Sequence, residues 1–155
     1  MKMLFLDLEE TVVDDIENCN PLEDNVAKIK DFIDRWQPDR IETFSWAFWT
    51  PSDMAHWRHI SPWLDAVLGR KVHLQAFDVT EQRFAFLNNM LGRVFPGEEI
   101  EFARLATKEK IFEWFIRENF EDGHFVLIDD MVPAKCITLH RGRLIIEFIS
   151  VKEEF

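Results

Sequence analysis

The chain has 155 residues, of which 47% are hydrophobic, and its 18 basic and 29 acidic side chains give a net charge of −11. That length and apolar content suit one folded domain over residues 1–155 and exclude an intrinsically disordered chain. The negative charge disfavours long nucleic acids and anionic membranes as partners, because both would be repelled.

The sequence has no recognisable targeting signal and no disulfide-type cysteine pattern, so we expect a cytoplasmic protein with no membrane partner. No apolar run in the sequence approaches the roughly 20 residues of a transmembrane helix. Asp7 interrupts the N-terminal apolar run before the core of a signal peptide is complete. Cys19 and Cys136 lie far apart and in no metal-binding spacing, so we expect two reduced thiols.

Strands and helices are predicted to alternate along the first half of the chain. Short apolar or alternating runs predict the strands, and apolar residues at three- and four-residue spacing predict the helices. Pro38 is expected to end the first helix and Gly69 to cap the second. Pro62 is expected to split the second helix, whose N-cap is Ser52 or Asp53. In chain order, the predicted elements are a strand over 3–6, an acidic loop over 12–21, a helix over 22–36, a strand over 40–45 and a helix over 52–68.

The second half continues the same alternation. Gly92 is expected to end one helix, and Thr107 is expected to be the N-cap of the next. This pattern is typical of βαβ units, so it predicts an α/β fold with three layers. In that fold a Rossmann-like, mostly parallel sheet carries helices on both faces. In chain order, the predicted elements are a strand over 72–77, a helix over 81–91, a turn over 95–97, a strand or extended connector over 100–105, a helix over 107–120, a turn at 122–123 and strands over 125–128 and 144–149.

Two of the predicted strands end in carboxylates. The run Met3–Leu6 is followed by Asp7, and the run Phe125–Ile128 is followed by Asp129 and Asp130. In open α/β sheets ligands bind outside the carboxyl ends of the strands, so these acids are expected to share one site. Carboxylate oxygens suit a hard divalent cation such as Mg²⁺. The alternative is that each acid lies in a solvated turn after its strand.

The segment Asp7-Leu8-Glu9-Glu10-Thr11 resembles the first motif of the haloacid dehalogenase (HAD) superfamily, which is normally Asp-x-Asp-x-Thr after an apolar strand. Residues 7–11 are most similar to the motif Asp-Leu-Asp-Glu-Thr of one group of protein phosphatases in this superfamily. Glu9 stands where that motif has its second Asp. The resemblance implies an HAD-like fold and a Mg²⁺-dependent phosphatase, a hydrolase in which Asp7 forms an aspartyl-phosphate. It also implies that Glu9 is the acid/base for the leaving group and that its backbone carbonyl binds the metal.

The other three family motifs are matched in the family's order. Ser45 matches the phosphate-binding Ser or Thr after the second strand, and Lys108 matches the motif lysine, with Lys110 as the alternative. Asp129 and Asp130 match the acidic pair. The resemblance implies that Asp130 binds the metal directly and that Asp129 acts through water or holds the lysine. The implied catalytic residues are Asp7, Glu9, Ser45 and Lys108, and the implied metal ligands are Asp7, Glu9, Asp129 and Asp130.

Members of the family cover this site with an inserted cap, and we expect a minimal or absent cap here. Residues 12–21 are too few for a helical cap, and the segment between Phe77 and Lys108 is needed for the sheet and its helices. An open site suits a large or extended phosphorylated substrate, such as a protein, a nucleotide or a nucleic-acid end. Aromatic residues near the opening are interpreted as core, with a binding surface as the alternative; they are Trp46, Phe48, Trp49 and Trp57, beside His56.

Two other functions remain open. A catalytically weak or inactive HAD-fold binding module is the first alternative, because Glu9 is one methylene longer than Asp and a displacement of about 1 Å can cost on the order of a hundredfold in rate. A two-component receiver domain is weaker, since receivers place paired acids early and the phosphorylated Asp in mid-chain. The histidines show no zinc-binding spacing, and His124 at a strand start is interpreted as structural.

Overall fold

A computed structural model describes residues 1–45, 51–75, 108–153 and 155. Several predictions fall outside these residues: the helix over 81–91, the turn over 95–97, the strand or connector over 100–105, the N-cap at Thr107 and the aromatic residues Trp46, Phe48 and Trp49.

Within the described residues, five strands form one sheet, and the prediction of an α/β fold with a mostly parallel sheet is confirmed. The spatial order of the strands is β2-β1-β3-β5-β4. Strands β2, β1, β3 and β5 run parallel to one another, whereas β4 is an edge strand that pairs antiparallel with β5. The strands are β1 (Lys2–Leu6), β2 (Arg40–Thr43), β3 (Gly123–Asp129), β4 (Lys135–Leu139) and β5 (Leu144–Ser150).

Strand β4 was absent from the predicted elements. It reaches β5 through a short turn in which His140, Arg141 and Gly142 all have positive φ, at 52°, 59° and 86°. Left-handed residues of this kind reverse the chain tightly and give a hairpin. The short alternation Ile137-Thr138-Leu139, followed by Gly142, was the signal that could have revealed this hairpin.

Four helices lie in the described part of the chain, and their boundaries follow the predictions with one correction. Helix α2 already covers Ser52 and Asp53, so neither residue is its N-cap. A single 3₁₀ turn separates α2 from α3 just before Pro62, and the Gly69 N–H donates to the Asp65 carbonyl over 2.9 Å. None of these helices has the length and apolar character needed to cross a bilayer. The helices are α1 (Glu23–Trp36), α2 (Pro51–Trp57), α3 (Ser61–Leu68) and α4 (Lys108–Asn119).

The strand predicted over 72–77 is only partly described. His73 forms one isolated parallel bridge with Glu42 of β2. Its N–H donates to the Ile41 carbonyl, and its carbonyl accepts from the Thr43 N–H. Within the described residues this segment therefore runs along the outer edge of β2 without a continuous ladder.

The core lies on both faces of the sheet because successive strand residues point to opposite sides. Met3 and Phe5 join a phenylalanine-rich cluster that includes buried residues of α4. Leu4 and Leu6 join a second cluster with buried residues of α1 and α3. Helices therefore cover both faces of the sheet. Polar residues, among them Asp7, Ser45 and Asp129, lie at the edge formed by the carboxyl ends of the parallel strands.

Candidate functional site

Asp7, Asp129 and Asp130 lie together where β1 and β3 end. Asp7 follows β1 directly, Asp129 is the last residue of β3, and Asp130 comes next. The two strands are parallel neighbours, and the Asp7 N–H continues their ladder by donating to the Ile128 carbonyl over 3.1 Å. One carboxylate oxygen from each acid lies within 4.8 Å of the others, and all three residues are buried.

Lys108 contributes an ammonium group to this cluster of acids. Its Nζ lies 2.8 Å from Asp7 Oδ1 and 2.5 Å from Asp129 Oδ2, and its side chain is only 5% exposed. The two oxygens of Asp129 have different partners. Oδ1 accepts a hydrogen bond of 2.8 Å from the Met131 N–H, and Oδ2 forms the ion pair with the Lys108 ammonium. Lys110 is exposed. Of the two lysines that the sequence left open, the buried group therefore contains Lys108.

Thr11 belongs to the site, although it was not among the predicted site residues. The Leu8 carbonyl accepts from the N–H groups of both Thr11 and Val12, at 3.2 and 2.8 Å, which makes a tight turn after β1. This turn returns the Thr11 hydroxyl to Asp7, where it donates to Oδ2 over 2.9 Å and lies 3.4 Å from Asp130 Oδ1. The available signal was its place at the end of the motif that begins at Asp7.

The Glu9 carboxyl is not among the three clustered carboxylates. Glu9 is exposed, and its backbone forms a bridge with Val13 inside the loop that follows β1. Partial desolvation raises the pKa of Glu9, and the negative charges of Asp7 and Asp15 add to that rise. Its roles as acid/base and as a carbonyl ligand remain predictions.

Ser45 lies at the same edge of the sheet as Asp7. The Phe44 N–H donates to the Leu6 carbonyl over 2.8 Å, which keeps the chain beside β1 beyond the end of β2. Ser45 follows directly and is 1% exposed. Its phosphate-binding role remains a prediction.

His124 lies at the opposite end of β3 from the clustered acids. Its Nε2 is 3.0 Å from Glu147 Oε2, and its ring meets the Trp36 ring edge to face at 5.0 Å. These contacts agree with the structural role expected for it. Trp57, at the end of α2, packs partly buried against the core cluster of α1 and α3.

Within the described part of the chain, the site combines the carboxylates of Asp7, Asp129 and Asp130 with the Lys108 ammonium, and burial shifts the pKa values of Asp7 and Asp130. Burial raises the pKa of Asp7, and the positive charge of Lys108 partly offsets this rise. Burial, followed by contact with Asp7, raises the pKa of Asp130 to about 7. Burial would lower the pKa of Lys108, but the charges of Asp7 and Asp129 more than offset it, and the pKa is raised. Such a set of buried oxygens is chemically suited to a divalent cation.

Comparison of the chain with protein-family models, with curated proteins and with solved structures found no significant match. A functional proposal for this chain therefore depends on the residues and geometry of its own site.

Proposed function

We propose that the chain is an HAD-like, Mg²⁺-dependent phosphatase that hydrolyses a phosphomonoester through an aspartyl-phosphate on Asp7. The observation that carries this proposal is the buried group of Asp7, Lys108, Asp129 and Asp130 at the carboxyl edge of a parallel sheet. Phosphoryl transfer by an enzyme of this kind needs a nucleophile, cationic groups and a fixed geometry, and this group supplies all three.

The residues present fit a Mg²⁺ ion by their donor chemistry. Mg²⁺ binds hard oxygens and usually combines one or two carboxylates with water. In the proposal Asp7 and Asp130 hold the ion directly, Glu9 contributes its backbone carbonyl, and Asp129 acts through water or through its ion pair with Lys108. When bound, the ion neutralises negative charge on the phosphoryl oxygens.

In the first half-reaction Asp7 attacks the phosphorus atom, and the bond from phosphorus to the leaving oxygen breaks. Glu9 acts as the general acid and gives its proton to that oxygen. The Lys108 ammonium, which lies 2.8 Å from Asp7 Oδ1, and the Ser45 hydroxyl bind phosphoryl oxygens. The products of this step are the free alcohol and phosphorylated Asp7.

In the second half-reaction a water molecule attacks the same phosphorus atom. The Glu9 carboxylate accepts a proton from the water, and the bond between phosphorus and the Asp7 oxygen breaks. Inorganic phosphate leaves and the Asp7 carboxylate is regenerated. The Thr11 hydroxyl, which donates to Asp7 Oδ2 over 2.9 Å, keeps the carboxylate oriented in both steps.

Removal of Mg²⁺ is the direct test of this proposal. We expect hydrolysis of an aryl phosphate to fall by on the order of a hundredfold or more in excess EDTA, because the ion supplies several kcal/mol of charge stabilisation. Turnover should return when Mg²⁺ is added in excess. Asp130→Asn should raise the Mg²⁺ concentration needed for half-maximal rate, whereas Asp122→Asn, outside the clustered acids, should not. Equal rates with and without Mg²⁺ would contradict the proposal.

The second candidate is a binding module that keeps the fold but has little catalytic activity. It is favoured by one observation, that Glu9 is exposed and its carboxyl is not among the clustered acids. A phosphorylated ligand would then bind at Lys108 and Ser45 without efficient proton transfer to its leaving oxygen.

Glu9→Asp separates the two candidates. We expect this substitution to raise turnover of the aryl phosphate, by up to about a hundredfold, because it restores the carboxyl position that the family uses. Glu10→Asp is the matched control, since Glu10 is the adjacent exposed Glu and has no assigned role. A variant with no gain over an inactive wild type would favour the binding module. A fall from an active wild type would show that the length of Glu9 is fitted to the site.

A further inference from the structure

We infer that Lys135 is a positioning residue for Lys108: it holds Glu109, and with it the first turn of α4, against the edge strand β4. This inference depends on the proposed function, in which Lys108 binds the phosphoryl group. Lys135 lies outside the predicted motifs, and it is the first residue of β4, a strand that was not predicted.

The contact that carries the inference is the ion pair between Lys135 Nζ and Glu109 Oε1. Glu109 directly follows Lys108 in the first turn of α4, where a negative charge also interacts favourably with the helix dipole. Its side chain is 18% exposed and that of Lys135 is 39% exposed. Because Glu109 is largely buried, water and salt screen this pair less than a fully exposed one.

Packed aromatic rings connect Lys135 with Lys108. The Lys135 ammonium lies 5.6 Å from the centre of the Phe148 ring, and Phe148 packs against Phe112 at 5.7 Å. Phe112 packs against Phe44 at 5.0 Å, and the Lys108 ammonium lies 5.9 Å from the centre of that ring. The two lysines therefore contact opposite ends of one rigid cluster, which has little room to absorb a displacement.

Lys108 needs such support because it lies in the first turn of its helix. Helix termini fray, since their first N–H groups lack partners within the helix. Lys108 must nevertheless keep Nζ at 2.8 Å from Asp7 and 2.5 Å from Asp129. Loss of Lys135 would remove the cation that pairs with Glu109 and would release this turn from β4.

The same helix offers a matched control pair. Arg117 Nη1 lies 3.4 Å from Glu113 Oε1, one turn apart on α4, and Arg117 is 55% exposed. This pair joins two residues of one helix and does not connect the helix to a strand. Removing it tests the effect of losing an ion pair from α4 without releasing the first turn.

The experiment measures kcat and KM for an aryl phosphate with Mg²⁺ in Lys135→Met, in Glu109→Gln and in the double variant. We expect kcat to fall about tenfold in each single variant, because small misplacements of a catalytic group are costly. The double variant should be no worse than either single one, since both remove the same interaction. Lys135→Arg should recover most of the loss, and Arg117→Met should match wild type. An unchanged kcat in Lys135→Met, additive losses in the double variant or an equal loss in Arg117→Met would overturn the inference.

An NMR measurement tests the positioning role of Lys135 independently of any phosphatase activity. The ¹⁵N resonance of the Lys108 ammonium reports its ion pairs whether or not the protein turns over a substrate. We expect it to shift or broaden in Lys135→Met and to stay in place in Arg117→Met. A protein with no hydrolytic activity but with this shift would contradict the phosphatase and support the positioning role. An unmoved resonance in Lys135→Met would overturn the positioning role itself.

Discussion

Asp7→Asn is expected to abolish phosphate-ester hydrolysis, with a fall in kcat of at least about a thousandfold. The amide has almost the same shape as the carboxylate, so Thr11 can still hydrogen-bond the side chain. It is neutral, however, and cannot serve as the attacking oxygen or balance the Lys108 ammonium at 2.8 Å. Steady-state hydrolysis of an aryl phosphate in Mg²⁺ measures the loss.

The same variant should also lose the covalent intermediate. Intact-mass measurement of acid-quenched wild-type protein should reveal a phosphate adduct that is absent from Asp7→Asn. Glu10→Gln is the control, because it removes one negative charge from the same loop at an exposed residue with no role in the site. If Asp7→Asn kept wild-type turnover, the aspartyl-phosphate mechanism would be wrong.

Lys108→Met is expected to destabilise the fold by about 3–5 kcal/mol, the usual cost of removing one member of a buried ion pair. The methionine fills a similar volume but leaves the buried carboxylates of Asp7 and Asp129 without their cation. Urea unfolding measures the loss of stability. Turnover should be lost as well, because the phosphoryl-binding cation is gone.

Lys110→Met is the matched control for that substitution. Lys110 lies two residues away in the same turn of α4 and is exposed, so its removal should change stability by less than about 0.5 kcal/mol. Its turnover should remain at the wild-type level. Loss of turnover in Lys110→Met with retention in Lys108→Met would reverse the assignment of the two lysines.

Elements with a strong local pattern were predictable from the sequence. The buried runs of β1 and β3 and the apolar spacing of α1 each identify the element from a few neighbouring residues. Pro62 likewise predicted the break between α2 and α3, because proline removes a helical hydrogen bond.

Elements that depend on a partner were not predictable in the same way. Strand β4 is half exposed and is defined by its pairing with β5, so its own residues carry only a weak pattern. Alternation did predict a strand over 72–77, but it did not predict the extent of pairing: within the described residues His73 forms one isolated bridge with β2. In both cases the hydrogen bonds come from another part of the chain, so local periodicity does not report the pairing.

By itself the sequence determined the kinds of elements and the chemistry at their ends, namely that carboxylates follow β1 and β3 and that a lysine begins α4. Only the tertiary structure decided which of these groups meet. Asp7 and Lys108 are 101 residues apart, and Thr11 and Asp130 are 119 apart. Their contacts depend on the parallel register of β1 with β3 and on the packing of α4 against the sheet. Such contacts arise from the register and burial of the whole fold, which no short stretch of the sequence contains.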